Sequence, residues 1–359
     1  MTDASFSAKR HLLPVALFGG FTILVILASP FFGSYRLSLS QVIEGLGLLF
    51  TQAEGLDPDK LLLREVLSLR AIRCALGLMA GAALGLAGAA LQAVLRNPLV
   101  APSTLGVTSA AAVGAFIVLV FPGLFLDFTI GSGFFQLRFS TLQIASFTAA
   151  LLNIVLIYFL ARLTGRLNLV TLLLAGITLS LICAGLLMFL RHIAPFEKQD
   201  SLARLMIGSL NTSYDWRDLA STLPVFLICA AVILAQSFRL NPLALGDEYA
   251  EGRGIPVTRI QTQVFVFSSL LTSSVVALVG PIGFVGLIVP HFVRRLAGVD
   301  QRVVLFCSAL AGGGFLVACD CLARTLLIRQ VQIPVGIITA LLGGPVFLFV
   351  LLRTQRKGL

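Results

Sequence analysis

The sequence predicts an all-α polytopic membrane protein of about ten transmembrane helices, and three observations carry that prediction. Of the 359 residues 58% are hydrophobic and 12% charged, about half the charge density of a soluble globular protein. Mean hydropathy is +0.99, more apolar surface than a water-facing exterior can hide, so the excess must face lipid. The apolar residues are gathered into runs of about 17 to 25, the length that crosses ~30 Å of hydrocarbon. A soluble monomer, a collagen, a coiled coil, a disordered tail and a disulfide scaffold are all excluded.

The runs fall at roughly 12–32, 71–95, 105–121, 143–163, 168–191, 219–238, 261–281, 283–298, 303–326 and 335–352. The first follows Lys9, Arg10 and His11, as a signal peptide would, but it is longer than a cleaved hydrophobic region and reads as a retained helix. Polar breaks at 33–70, 122–142 and 191–218 fall on one side, and 239–260 on the other. None is long enough for a separate enzymatic domain, so residues 1–359 read as one transmembrane domain. Arg162 with Arg166, Arg294 and Arg295 with Arg302, and Arg353, Arg356 and Lys357 occupy tight connections on the side of the N-terminus. The positive-inside rule therefore predicts N-in and C-in.

A net charge of +10 would suggest nucleic acid in a soluble protein, but here the basic residues sit between apolar runs, so no nucleic-acid partner is expected. Cys74, Cys183, Cys229, Cys307, Cys319 and Cys321 lie inside apolar stretches without metal-ligand spacing, and read as small buried hydrophobes. The four lysines follow Ala8, Asp59, Glu197 and Arg356, so no Gly-Lys-Ser/Thr phosphate loop exists. His11, His192 and His291 are far apart, with no His-x3-His pair and no Gly-x-Ser-x-Gly turn. No catalytic, cofactor or metal residue is expected.

A charge at mid-bilayer costs at least ~2.5 kcal/mol and is the usual sign of an ion pathway. The spans carry only Arg73, Asp320 and Arg324, with Arg191, Arg294 and Arg295 near helix ends, all within snorkelling reach of an interface. An ion-coupled secondary transporter or channel is therefore the alternative reading, with Asp320 as its one candidate acid. A membrane-embedded enzyme comes third, for want of a polar triad.

Four features remain. Gly77, Gly81 and Gly85 recur every four residues and make one helix face smooth, fit either for close packing or for lining a pathway. The stretch Leu95-Arg96-Asn97-Pro98 through Gly106 forces a non-helical turn. In the 239–260 loop, Leu245-Gly246-Asp247-Glu248-Tyr249-Ala250 can form about two helical turns, with acids at the N-terminal end and Gly252, Gly254 and Pro256 as stops. Such a short projecting helix suits a docking knob. Arg70 and Arg73 share a helix face, fit for carboxylates of a partner or for lipid headgroups. Asp320 and Arg324 have the i,i+4 spacing of an internal ion pair.

Read together, the chain resembles the FecCD family of ABC-importer permeases over nearly its whole length. The resemblance rests on Gly81-Ala-Ala-Leu84-Gly-Leu-Ala-Gly88-Ala-Ala-Leu-Gln92 with Asn97-Pro98-Leu99 and Leu105-Gly106, and on Leu245-Gly246 through Ala250 with Gly254. It rests further on Gly280-Pro281-Ile282-Gly283-Phe284 through His291, Asp320 with Arg324, Pro334-Val335-Gly336, and Gly343-Gly344-Pro345. The resemblance implies a type II, cobalamin-permease-like importer fold in the bacterial inner membrane. Two permease subunits, expected to be identical, would surround the pathway. Two separate ATPase subunits would dock on the coupling segment, and an extracytoplasmic binding protein would deliver the cargo. The chain would then be a transport subunit, not an enzyme. Carried over by residue, Arg70, Arg73 and Arg324 would receive glutamates of the binding protein. Leu245, Gly246, Asp247, Glu248, Ala250 and Gly254 would couple to the ATPase. The helices holding Gly77, Gly81, Gly85, Ala175, Gly176 and Gly336 would line the pathway. The implied cargo is a bulky metal chelate, ferric siderophore before haem and cobalamin, with molybdate as an outlier. Ile72 and Gln332 depart from the family pattern, which often has Pro and Glu there.

Overall fold

The computed structural model describes residues 3–49, 57–122, 128–130, 137–139, 141–163, 169–210, 215–328 and 331–355. Arg166, Arg356 and Lys357, part of the charge pattern behind the expected orientation, lie outside the described residues. In chain order the helices are α1 (Asp3–Ala28), α2 (Leu39–Leu48), α3 (Pro58–Val94), α4 (Val107–Val120), α5 (Thr141–Leu163), α6 (Leu169–Ile193) and α7 (Gln199–Ile207). They continue with α8 (Trp216–Ala235), α9 (Ser237–Leu245), α10 (Asp247–Glu251), α11 (Val257–Val279), α12 (Val285–Ala297), α13 (Gln301–Thr325) and α14 (Val335–Gln355). Two small antiparallel hairpins pair β1 (Phe128–Ile130) with β2 (Leu137–Phe139) and β3 (Leu327–Ile328) with β4 (Val331–Gln332).

Each of the ten apolar runs is helical. Among the described residues, α1, α3, α5, α6, α8, α11 and α13 are long and apolar enough to cross a membrane, while α4 and the apolar part of α14 are shorter. The 13 residues of α12 reach only ~20 Å at 1.5 Å per residue, so this element does not cross the hydrocarbon by itself. Gly280, at φ 74°, ends α11, and Phe284, at φ 67°, starts α12. A bulky residue in the left-handed region is strained, and the turn it makes takes the length that a full span would have used.

The 33–70 stretch is not an unstructured polar break. Asp57 and Pro58 start α3 well before residue 71, proline at the first helical position costing no hydrogen bond. The 37 residues of α3 reach ~55 Å. Ahead of it, Ser38 and Gln41 close a reciprocal capping box on α2, the Ser38 amide donating to Gln41 Oε1 at 2.9 Å. Leu37 and Val42 then pack on Leu63 and Leu67 of α3.

The core lies along α3, α11 and α13. Of their most apolar stretches 83%, 72% and 72% is buried, against 22–39% for α1, α5, α6 and α8. Lipid tails are as apolar as leucine, so helices associate in a membrane by contact rather than by escape from water. Here that contact is backbone on backbone. A Cβ placed on Gly81 would lie 2.1 Å from the Gly312 carbonyl oxygen, and one on Gly85 would lie 2.2 Å from that of Ser308. All six cysteines are free; five are buried and Cys183 is half-buried.

Candidate functional site at the two ends of the α3 and α13 pair

One end of the pair carries a cluster of arginines. Asp320, fully buried on α13, receives Arg73 Nη2 on Oδ1 at 2.7 Å and lies 2.9 Å from Arg324 Nε through Oδ2. The i,i+4 pair expected from the sequence is therefore present, and α3 adds a second guanidinium to the same carboxylate. Arg73 Nη1 donates to Gln332 Oε1 at 2.8 Å, so the glutamine that stands where a glutamate is usual accepts a hydrogen bond without adding charge. Arg324 Nη2 donates to Ser29 Oγ at 2.9 Å, where α1 gives way to a short 3-10 turn. Arg70 donates to the carbonyls of Pro30 and Tyr35. Gly33, with φ 148°, lies so close over Arg70 that a Cβ there would sit 2.7 Å from Nη2.

Arg70 and Arg324 are thus buried, at 7% and 2% exposure, rather than displayed as headgroup anchors. With Arg73, Tyr35, Leu210 and Gln332 they line a cavity of about 220 Å³.

The small residues in the middle are packed against neighbouring elements. Gly81 and Gly85 face α13, and Gly77 faces Val317 and Leu210. Gly176 is pressed on the backbone of Thr104 and Leu105, and Gly336 on the Ile207 carbonyl. At Gly81, Gly85, Gly176 and Gly336 another backbone occupies the place of the side chain, whereas a Cβ on Gly77 would meet the side chains of Val317 at 3.0 Å and Leu210 at 3.3 Å. Ala175 is half-buried on α6, whose Leu174, Ile177 and Leu181 are exposed. A pathway along α6 would be bordered by these larger residues.

About 29 Å along α3 from Arg73, at 1.5 Å per residue, lies the second polar end. Gln92 Nε2 donates to the carbonyls of Val100 at 3.2 Å and Gly286 at 3.1 Å, and Arg294 Nη1 donates to Gln92 Oε1. Arg294 also reaches the Ala89 carbonyl, so it turns into the bundle instead of snorkelling outward. Arg96, at φ 48°, opens the non-helical turn, and the Leu99 amide donates to Asn97 Oδ1 at 2.8 Å. Arg96 Nη2 then meets Asp247 Oδ2 at 3.0 Å, with both side chains 42% exposed.

Asp247 begins α10, the projecting helix. The 239–260 loop forms two helices rather than one, because Gly246 at φ 139° separates α9 from α10. Ala250 is fully buried and anchors the knob, while Leu245, Glu248 and Tyr249 are exposed. Arg253 stacks over the Tyr249 ring at 4.7 Å, and Gly254, at φ 74°, makes the exit turn with open space around it. Asn241 fixes α9 to the start of α13, donating to Asp300 Oδ1 and accepting from the Gln301 amide at 2.8 Å.

Gln92, Asn241 and Gly33 make contacts at the two ends that the sequence reading did not single out, and Arg294 was read there only as a charge near a helix end. Gln92 stood inside a quoted motif, and its long polar side chain in an otherwise apolar helix was the available signal. Among the described residues no group of three or more His, Cys, Asp or Glu is placed to hold a metal ion.

Known proteins share both the sequence and the fold. The chain is 39% identical over 292 residues to the cobalamin import system permease protein BtuC of Halobacterium salinarum, covering 81% of this chain and 74% of that protein. It is 33% identical over 349 residues to the molybdate import system permease protein MolB of Haemophilus influenzae, covering 96% and 98%. A solved structure assigned to the metal-chelate type of ABC transporter, in an inward-facing conformation, superposes with a TM-score of 0.76 at 28% identity, over 95% of this chain and 99% of that one. Residues 21–353 match the FecCD transport family, so the long apolar helices, the glycine-packed core and the projecting α10 are those of a multi-pass permease, and the chain belongs to that family.

Proposed function

We propose that the chain is the permease subunit through which an ATP-driven importer passes a bulky metal chelate, a ferric siderophore ahead of haem and cobalamin, with molybdate as the outlying cargo. The observation that carries this reading is the knob at α10. Its base is buried at Ala250, its Tyr249 and the preceding Leu245 at the end of α9 are exposed, and Arg96–Asp247 ties it to the turn that closes α3. A push on such a knob is transmitted to the core helices, which is what a separate ATPase subunit requires. Leu245, Gly246, Asp247, Glu248 and Gly254, on a base held by the buried Ala250, would form this coupling segment, and two ATPase subunits would act on two permease copies, most simply a homodimer.

In the proposed N-in, C-in orientation the arginine cluster lies on the outer face of a bacterial inner membrane. There Arg73, less covered than Arg70 and Arg324, would be the first to meet a carboxylate of an extracytoplasmic binding protein. The helices that carry Gly77, Gly81, Gly85, Ala175, Gly176 and Gly336 would border the pathway. Relatives of comparable identity are named for cobalamin and for molybdate, which supports a generic pathway with selectivity held by the binding protein.

The test is reconstitution of the chain with its ATPase and binding protein in liposomes, measuring ATP-dependent uptake of labelled ferric siderophore, haem and cobalamin. Uptake of one, dependent on both partners, is expected. Asp247→Lys should abolish cargo-stimulated ATP hydrolysis while the chain still folds. Uptake without any ATPase would overturn the reading in favour of a secondary transporter.

A further inference from the structure

A cavity of about 830 Å³ lies between α1, α12, α13 and α14, within the roughly 300–1,000 Å³ of a ligand pocket. All of its lining residues are apolar. Phe21, Leu24, Phe292, Leu296 and Leu342 both line it and are exposed, so it is a groove on the flank of the bundle rather than a void within it. Gly20 also lines it, and a Cβ placed there meets nothing within 4 Å. Gly81 and Gly85 are small because a backbone presses on them; Gly20 instead leaves the groove wall low.

One end of the groove carries a charge. Arg295 follows Ile288 by seven residues and Phe292 by three, so the helical period sets it on the groove side of α12, next to Leu296. It is exposed and, among the described residues, has no hydrogen bond or ion pair, whereas its neighbour Arg294 turns inward to Gln92. The helix ends at Ala297, and Asp300 just beyond it holds Asn241 of α9. Arg295 therefore lies at the membrane face from which α10 projects.

We propose that the groove holds an acyl chain of an anionic glycerophospholipid whose phosphate pairs with Arg295. The groove flanks α1, a span most of whose surface is left uncovered, so what reaches it is bilayer hydrocarbon, as apolar as the leucines that wall it. The cation at its end adds a preference for a headgroup of net negative charge. A second copy of the chain is a poorer occupant. A two-fold contact here would set one concave wall against the same concave wall and bring the two Arg295 side chains to the same depth. Such a lipid requires only the chain in a membrane, so its binding stands apart from the proposed cargo, ATPase and orientation.

The experiment uses the full chain in phosphatidylcholine nanodiscs doped with a phosphatidylglycerol that carries a photoactivatable diazirine in one acyl chain. Crosslinked peptides are mapped by mass spectrometry. Labelling of α1 and α12 that saturates with probe is expected, about fivefold above that by the matching phosphatidylcholine probe at the same low concentration. Arg295→Gln should erase that difference. Gly20→Trp should remove most groove crosslinks with either probe, while labelling of the exposed Leu152 and Val155 of α5 stays unchanged. If Gly20→Trp does not fold, the exposed Arg295→Gln decides alone. Groove labelling that never saturates and is no denser than that of α5 would mean bulk lipid only and would overturn the proposal. Equal labelling by the two headgroups would do the same, as would a groove shielded from both probes by a second copy seated on it.

Discussion

The two ends of the α3 and α13 pair use nearly the same contact to opposite effect. Arg73 meets Asp320 at 2.7 Å and Arg96 meets Asp247 at 3.0 Å, so distance hardly separates them. Burial does. Asp320 is sealed from solvent, whereas Arg96 and Asp247 are each 42% exposed. Water and salt can replace either partner of the exposed pair at little cost, but nothing can replace Asp320. An ion pair at one end therefore acts as a fixed joint, and a similar pair at the other end acts as a contact that can be made and unmade.

The contrast is most sharply broken by Asp320→Ala. It leaves Arg73 and Arg324 facing each other without a counter-charge, and is expected to cost ~3–5 kcal/mol, read from denaturant unfolding of the purified chain in detergent. Gly81→Ala comes next. Its new methyl group meets the Gly312 backbone, so α3 and α13 must separate, at ~1–3 kcal/mol; the same unfolding measurement checks it. Arg96→Ala is the smallest, with a stability loss below ~1 kcal/mol and a clear loss of coupling between ATP hydrolysis and uptake in the reconstituted importer. If Arg96→Ala destabilised the chain as much as Asp320→Ala, exposure would not be what distinguishes the two ends.

Much of this was legible in the sequence, for reasons that differ by element. The ten apolar runs were visible because length and hydropathy are local properties, and the α10 knob was visible because Asp247, Glu248 and the glycines after it are start and stop signals read in order. The Asp320–Arg324 pair was visible because both partners share one helix. What was missed depends on contacts between distant segments. Arg73 on Asp320 spans 247 positions and Arg294 on Gln92 spans 202, and no spacing rule reaches that far. Arg294 looked free to snorkel because its partner lies on another helix. The glycine stripe was legible as a stripe, but which neighbour it faced was not, and the short α2 was hidden because a ten-residue helix lies below the length scale that finds spans.

The contact of Gly81 with Gly312 has a mechanical consequence. Where two backbones touch without side chains between them there is no padding to compress and no rotamer to change, so the two helices keep their spacing. Gly85 on Ser308 repeats the condition one turn along. The two helices therefore form a single beam. Any displacement handed to one end of that pair would be carried along its length as a tilt, with the chain turning sharply at Gly246 and Gly280, where φ is positive.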